Sequence, residues 1–232
     1  MTSILAVRKS RSIEVMADAA IYDARGVVLS IESKILSMPR MSAVVTGRGV
    51  FEVVRAFAQS AAGLCRSFDD LIASYPKVLE LIEGPGRTRF GEWFSSHEII
   101  IAGWSESREG PEIHVGVGHR RVADIEPGRL HKFDSFLCAG PMPPWDEVLS
   151  RGWSNPETTD DFRADQDGLA IFEAQRLTIE NLQTPNPDAE GFSVGGFVEL
   201  ATVTESEVSR RVIREWPDRV GYLIDPFVKT AA

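Results

Sequence analysis

The sequence is short of the features that usually give a protein away. It has only two cysteines in 232 residues, Cys65 and Cys138, and neither sits in a spaced motif. Two thiols in apolar surroundings exclude a disulfide framework or a cysteine-rich zinc domain, and read as reduced packing residues of a cytosolic protein. Basic charge is scarce, with 25 Lys and Arg against 34 Asp and Glu and a net charge of -9. A general nucleic-acid binder needs a basic face to displace phosphate counterions, so that partner is not expected. Nor is an anionic membrane, and no apolar run approaches the ~20 residues of a span. The first segment alternates apolar with polar residues, unlike a secretory signal. Low-complexity tracts, internal repeats and long linkers are missing. There is no Gly-x-Ser-x-Gly elbow, and Gly116-Val117-Gly118 lacks the strand-to-helix setting of a phosphate loop.

What remains is an ordinary globular composition, long enough to bury a substantial core. Residues 3–8 and 12–17 alternate as strands around the polar turn Lys9-Ser10-Arg11. Further strands are expected at 27–31, 34–38 and 42–46, the last ending at Gly47-Arg48-Gly49. The period then becomes helical, with Val50, Val53, Val54, Phe57 and Ala61 on one face. Ser67 should cap a second helix, with Asp69 and Asp70 meeting its dipole. That helix should run to about residue 82, kink or split at Pro76, and close at Gly84-Pro85-Gly86. Strands follow at 98–104, 112–116 and 132–138. A short helix starts near Trp145 and a long one spans 169–182. Strands at 192–204 and 208–215 end the pattern. One domain is expected over 2–216, with 217–232 as a C-terminal tail.

Strands thus come in adjacent groups and helices in pairs. A parallel α/β fold would alternate strand with helix. The grouping predicts an α+β protein with two mainly antiparallel sheets stacked face to face and a helix pair outside each, a four-layer αββα sandwich.

Three residues stand at equal spacing in the first part of this pattern. Thr2 opens the first strand, Asp18 ends the second 16 residues later, and Lys34 follows after another 16. The strings TSILAVR, SIEVMADAA and SKI around them resemble the N-terminal nucleophile hydrolases, specifically the proteasome β-subunit and its bacterial ring-peptidase relatives. The resemblance implies that Thr2 becomes the first residue once Met1 is removed. Its hydroxyl would be the nucleophile and its own α-amine the base. A hydroxyl needs such a base at neutral pH, and an α-amine titrates near ~8. A buried Lys34 would lower the proton affinity of both groups, and Asp18 would neutralise and orient it.

The same resemblance places an oxyanion donor on the backbone of TGRGVFEVV, at Arg48 by ungapped counting or at Gly47 with one deletion. Ser193 fits the serine of the family's Asp-x-x-Ser-Gly-Gly stretch. Glu190 stands for its acid, with Asp188 as the alternative. Three positions depart from the family. Ala139 in Cys138-Ala139-Gly140 replaces a serine that contacts the nucleophile, and Ala20 and Tyr22 replace an Arg and a Thr.

The function implied is a threonine-type peptidase acting on peptides or unfolded proteins. It would work within a cytoplasmic, self-compartmentalising homo-oligomer, a ring or related array, served by an ATPase unfoldase. The alternatives are a small-amide amidase on the same fold and a non-catalytic assembly subunit. No cofactor or metal is expected. His114 and His119 should face opposite sides of one strand, and Arg163 interrupts the calcium-loop-like run of Asp161, Asp165 and Asp167.

Overall fold

The computed structural model describes residues 2–23, 25–118, 125–182 and 190–228. Met1, His119 and Asp188 lie outside the described residues. Within them the fold is the expected α+β sandwich. The first sheet has the order β10-β1-β2-β13-β14. Its strands are β1 (Ile4–Arg8), β2 (Ile13–Asp18), β10 (Phe136–Ala139), β13 (Phe197–Val203) and β14 (Val208–Glu215). The second has the order β5-β6-β7-β8-β9, built from β5 (Leu36–Met38), β6 (Ala43–Arg48), β7 (Glu98–Ser105), β8 (Gly110–Val117) and β9 (Leu130–Phe133). All pairings in both sheets are antiparallel. Two small ladders stand apart, β3 (Ala20–Tyr22) with β4 (Val28–Ile31), and β11 (Glu180–Asn181) with β12 (Glu190–Gly191).

Side-chain alternation along the strands produces three stacked cores. Ile4 and Ala6 of β1 and Ile13, Val15 and Ala17 of β2 point between the sheets, where they meet Val44, Ile100 and Ala102. Leu5, Val7 and Met16 point the other way, onto α4 (Leu169–Arg176) and α3 (Trp145–Ser150). Ala43, Val45, Ile99 and Ile101 of the second sheet face α1 (Phe51–Leu64) and α2 (Phe68–Phe90). Central strands are therefore covered on both faces, which explains their near-continuous apolar runs.

Several elements differ from the sequence reading. α2 neither splits at Pro76 nor stops at Gly84, but runs unbroken to Phe90 with both prolines inside it. Each proline removes one backbone donor. The buried stripe of Phe68, Leu71, Tyr75, Val78 and Ile82 offsets that loss against the second sheet. Ser67 caps this helix as expected, accepting from the Asp70 amide at 3.1 Å. The expected strand 132–138 is two strands, with β9 in the second sheet and β10 in the first. The chain changes sheets at Asp134-Ser135, whose carbonyls accept from the Arg8 guanidinium and the Arg8 amide, each at 2.8 Å. α4 ends at Arg176 rather than 182, and β13 begins only at Phe197.

Residues 217–228 are packed onto the domain. Asp218 forms a buried ion pair with Arg176 at 2.8 Å. Ile224 is buried with Ala20 and Val28, and the Val28 amide donates to the Tyr222 carbonyl at 2.8 Å.

Packing between α2 and β7 leaves no room at Gly103, where a Cβ would collide with the Phe68 ring and press on Ala43. Gly103→Ala should cost about 1–3 kcal/mol through overpacking, read as a lower denaturation midpoint at unchanged denaturant dependence.

Candidate active site

The site begins where β1 and β2 meet β13. Asp18, the last residue of β2, pairs with Val198 of β13 and lies beside the start of β1. The Ser3 amide donates to Asp18 Oδ1 at 2.9 Å, and the Asp18 amide returns a bond to the Ser3 carbonyl at 3.2 Å. This exchange fixes the backbone one residue from Thr2, which is itself buried. Lys34 arrives from the segment between β4 and β5. Its Nζ donates to both Asp18 oxygens, at 3.0 and 3.1 Å. The Gly195 amide adds a longer bond to Asp18 Oδ2 at 3.3 Å. Lys34 and Asp18 side chains are 2% and 0% exposed, so water screens neither charge.

The residues flanking Lys34 are pinned from outside. Arg210 donates to the Ile35 carbonyl at 2.7 Å, and the Ser33 hydroxyl donates to Glu199 at 2.5 Å. Burial pushes the Lys34 ammonium below its ordinary range, and Asp18 pulls against that shift. The result is a cation held at fixed position, more ready than a surface lysine to give up a proton.

Gly47 and Arg48 end β6. β5 pairs with β6 only as far as Leu36 opposite Val45, so Thr46, Gly47 and Arg48 continue beyond it. Gly47 is required by close approach, since a Cβ would collide with the Glu98 carbonyl of β7. Gly49 follows with φ of 89° and turns the chain into α1. The Arg48 side chain reaches Glu98 at 3.4 Å, and its charge is felt at Cys138 and Glu180.

Ser193 is fully buried, two residues before Gly195. Its hydroxyl donates to Glu180 on β11. Glu190 is exposed on β12 and makes no such bond. Among the described residues the carboxylate bonded to Ser193 is thus Glu180, where Glu190 was expected. The expected helix through residue 182 hid Glu180. Because α4 ends at Arg176, the chain instead enters β11 and brings this carboxylate back to the site. Burial raises the Glu180 carboxyl, while the Ser193 hydrogen bond lowers it.

A second pair that the sequence reading missed sits at the end of β10. Ala139 pairs with Ile4, leaving that strand end without its own hydroxyl. The Ser3 hydroxyl instead donates to Gln175 Oε1, and Gln175 Nε2 donates to the Pro141 carbonyl at 3.1 Å. Gly140, at φ of 142°, makes room for both, since a Cβ there would lie 3.0 Å from each side chain. Among the described residues no group of His, Cys, Asp or Glu is arranged to hold a metal ion, and no helix is long and apolar enough to cross a membrane.

No family model and no curated protein matches the chain. Among solved structures it is similar to the Anbu (Gly-1) mutant from Hyphomicrobium sp. strain MC1. The identity is 14%, over 92% of this chain and 88% of that one, with a TM-score of 0.60. What the two share is the fold, a mixed α+β sandwich of antiparallel sheets covered by helices. At this identity the likeness establishes the fold alone.

The environment of Glu180 sets a pH signature. A carboxyl whose pKa is raised by folding binds its proton more tightly in the native state. Native stability then falls as pH climbs from the unfolded value near ~4.5 through the raised one. Glu180→Gln cannot titrate and escapes that loss. Melting curves should show the Glu180→Gln protein gaining on the parent across this window and holding its lead above it. Glu190→Gln should track the parent throughout, and the reverse pattern would show that Glu190 is the acid in the site.

Proposed function

We propose that the chain is an N-terminal threonine hydrolase, acting as a peptidase within a homo-oligomer. The observation that carries this reading is the buried Asp18–Lys34 pair, tied to the strand start through the Ser3 amide. An ion pair so buried is an inefficient way to gain stability, because desolvation offsets most of the Coulomb attraction. Its position supplies a reason for it. After Met1 is removed, Thr2 carries a hydroxyl and a free amine on the residue before Ser3, whose amide shares Asp18 with the Lys34 ammonium.

In this reading Thr2 Oγ attacks the substrate carbonyl and its proton passes to the α-amine. The amine then protonates the leaving nitrogen, and water hydrolyses the resulting ester. Lys34 lowers the cost of the developing alkoxide. Backbone donors at the free end of β6, around Gly47 and Arg48, take the oxyanion, each worth ~3 kcal/mol in the transition state. Ser193 and Glu180 orient and relay for the amine. A ring or related array would restrict access to the site, and an ATPase unfoldase would feed it.

One observation favours a second reading, a non-catalytic subunit of an assembly. Ala139 offers no hydroxyl at a position where the family uses one, and the nearby Ser3 hydroxyl is committed to Gln175. Intact mass separates the two. The native, untagged protein should lose Met1 and gain a single adduct from a peptide epoxyketone. Thr2→Ala should abolish both the adduct and peptide hydrolysis without shifting the melting temperature. Full hydrolysis by Thr2→Ala would end the threonine-nucleophile reading, and retained Met1 with no adduct would favour the assembly subunit. Lys34→Ala should slow turnover by about a hundredfold or more. It should also destabilise the fold by about 3–5 kcal/mol, because Asp18 is left buried and unpaired.

A further inference from the structure

A cavity of about 440 Å³ lies on the outer side of the first sheet, between that sheet and α3 and α4. Its lining includes Val7, Phe136, Trp145, Trp153, Phe162 and Gln175. The aromatic rings meet edge to face or tilted, with centroids 5.3 Å apart for Trp145–Trp153, 6.3 Å for Trp153–Phe162 and 6.4 Å for Phe136–Phe162. The polar group on the floor, Gln175, already has its oxygen bonded by Ser3 and its nitrogen bonded to Pro141. Trp153, also in the lining, keeps a buried Nε1 with no hydrogen-bond partner among the described residues, and the rest of the floor holds an occupant by apolar contact.

At the mouth, Met142 is 79% exposed and Trp145 53% exposed, an arrangement that costs solubility unless something covers it. The surrounding charge has one dominant sign. Residues 142–168 contain seven carboxylates and two arginines. Arg151 is already paired with Glu147 at 3.1 Å. Glu157 lines the cavity, Asp146 follows Trp145 in α3, and neither is ion-paired among the described residues. The rim is also fixed. Gly152 and Asn155 take φ of 96° and 59°, the Ser154 amide donates to the buried Asp167 at 2.7 Å, and the Ser10 amide donates to Asp160 at 2.8 Å. A site formed in advance loses little to ordering on binding.

We propose that this cavity docks a partner protein through a basic segment, taking one or two of its apolar side chains while flanking Lys and Arg residues meet the acidic rim. β10, with Phe136 and Cys138 facing the cavity, is the edge strand of its sheet, so an extended segment can lie along it. A second copy of this chain is a poorer fit, since its net charge of -9 brings like charge to the rim. A free apolar molecule would fill the floor and leave the rim carboxylates unused.

Two synthetic peptides test this on the full chain, one with a Phe-Leu centre flanked by lysines and one with the same centre flanked by glutamates. Tryptophan fluorescence and calorimetry should show binding of the lysine peptide alone, weakening as salt is raised. The exposed double substitution Met142→Ser with Trp145→Ala should weaken it at least tenfold, and Glu157→Lys about threefold or more. Equal binding of both peptides, binding of neither, or unchanged affinity in these variants would overturn the proposal. A change of oligomeric state in the double variant, by light scattering, would reassign the face to contacts between copies. Binding of uncharged naphthalene without the lysine peptide would reassign it to a small apolar ligand, and either result also overturns the proposal.

Discussion

The Asp18–Lys34 ion pair is the constraint around which the rest of this molecule is arranged. A lysine at 2% exposure must keep its partner at hydrogen-bond distance or lose its charge, and the carboxylate must be satisfied on every side. The satisfaction comes from four parts of the chain. The residue before β1 supplies the Ser3 amide, the segment before β5 supplies the ammonium, the turn before β13 supplies the Gly195 amide, and β2 supplies the carboxylate itself. None of these can move without uncovering charge. The pair thus locks the edge of the sandwich at the place where the N-terminal strand begins, and a rigid strand start is what an N-terminal nucleophile would need.

Layering was legible because it follows from grouping. Strands in runs and helices in pairs leave few ways to cover two sheets, and the doubly apolar runs ILAV and IIIA sit at the centre of both. Errors arose where tertiary contact overrides local signals. Pro76 and Pro85 read as helix breakers, yet the buried stripe from Phe68 to Ile82 outweighs two missing hydrogen bonds. The run 132–138 reads as one strand because all of it favours extended backbone. Its division between two sheets depends on Arg8, which anchors Asp134 and Ser135 from more than a hundred positions away.

The candidate site divides the same way. Asp18 and Lys34 lie close together in the early part of the chain with little freedom of register, so their pairing beside Ser3 follows nearly from the strand order. Glu180 could not be found by spacing. Its position depends on where α4 stops, and the sequence through residue 182 keeps a helical pattern. What accompanies the stop is Arg176, which is buried against Asp218, the Val194 carbonyl at 2.7 Å and the Trp216 ring at 4.7 Å. A guanidinium held from three sides fixes the helix end, and the chain beyond it turns back as β11.

That arrangement gives the C-terminal segment a part in the site. Asp218 also accepts from the Gly196 amide at 2.8 Å, and a Cβ on Gly195 would press against it at the same distance. The turn carrying Ser193 and Gly195 is therefore clamped between Asp18 on one side and Asp218 on the other. Both carboxylates are buried, and each is neutralised by one buried cation, Lys34 or Arg176. Each pair alone would contribute little net stability, because its desolvation cost is large. Together they hold one short glycine turn in a single conformation between the two ends of the chain. Hydrophobic packing anchors this turn only at the fully buried Val194, because Gly195 and Gly196 offer almost no side-chain surface. Polar clamping is the physical means left for keeping Ser193 and the Gly195 amide in register with the N-terminus.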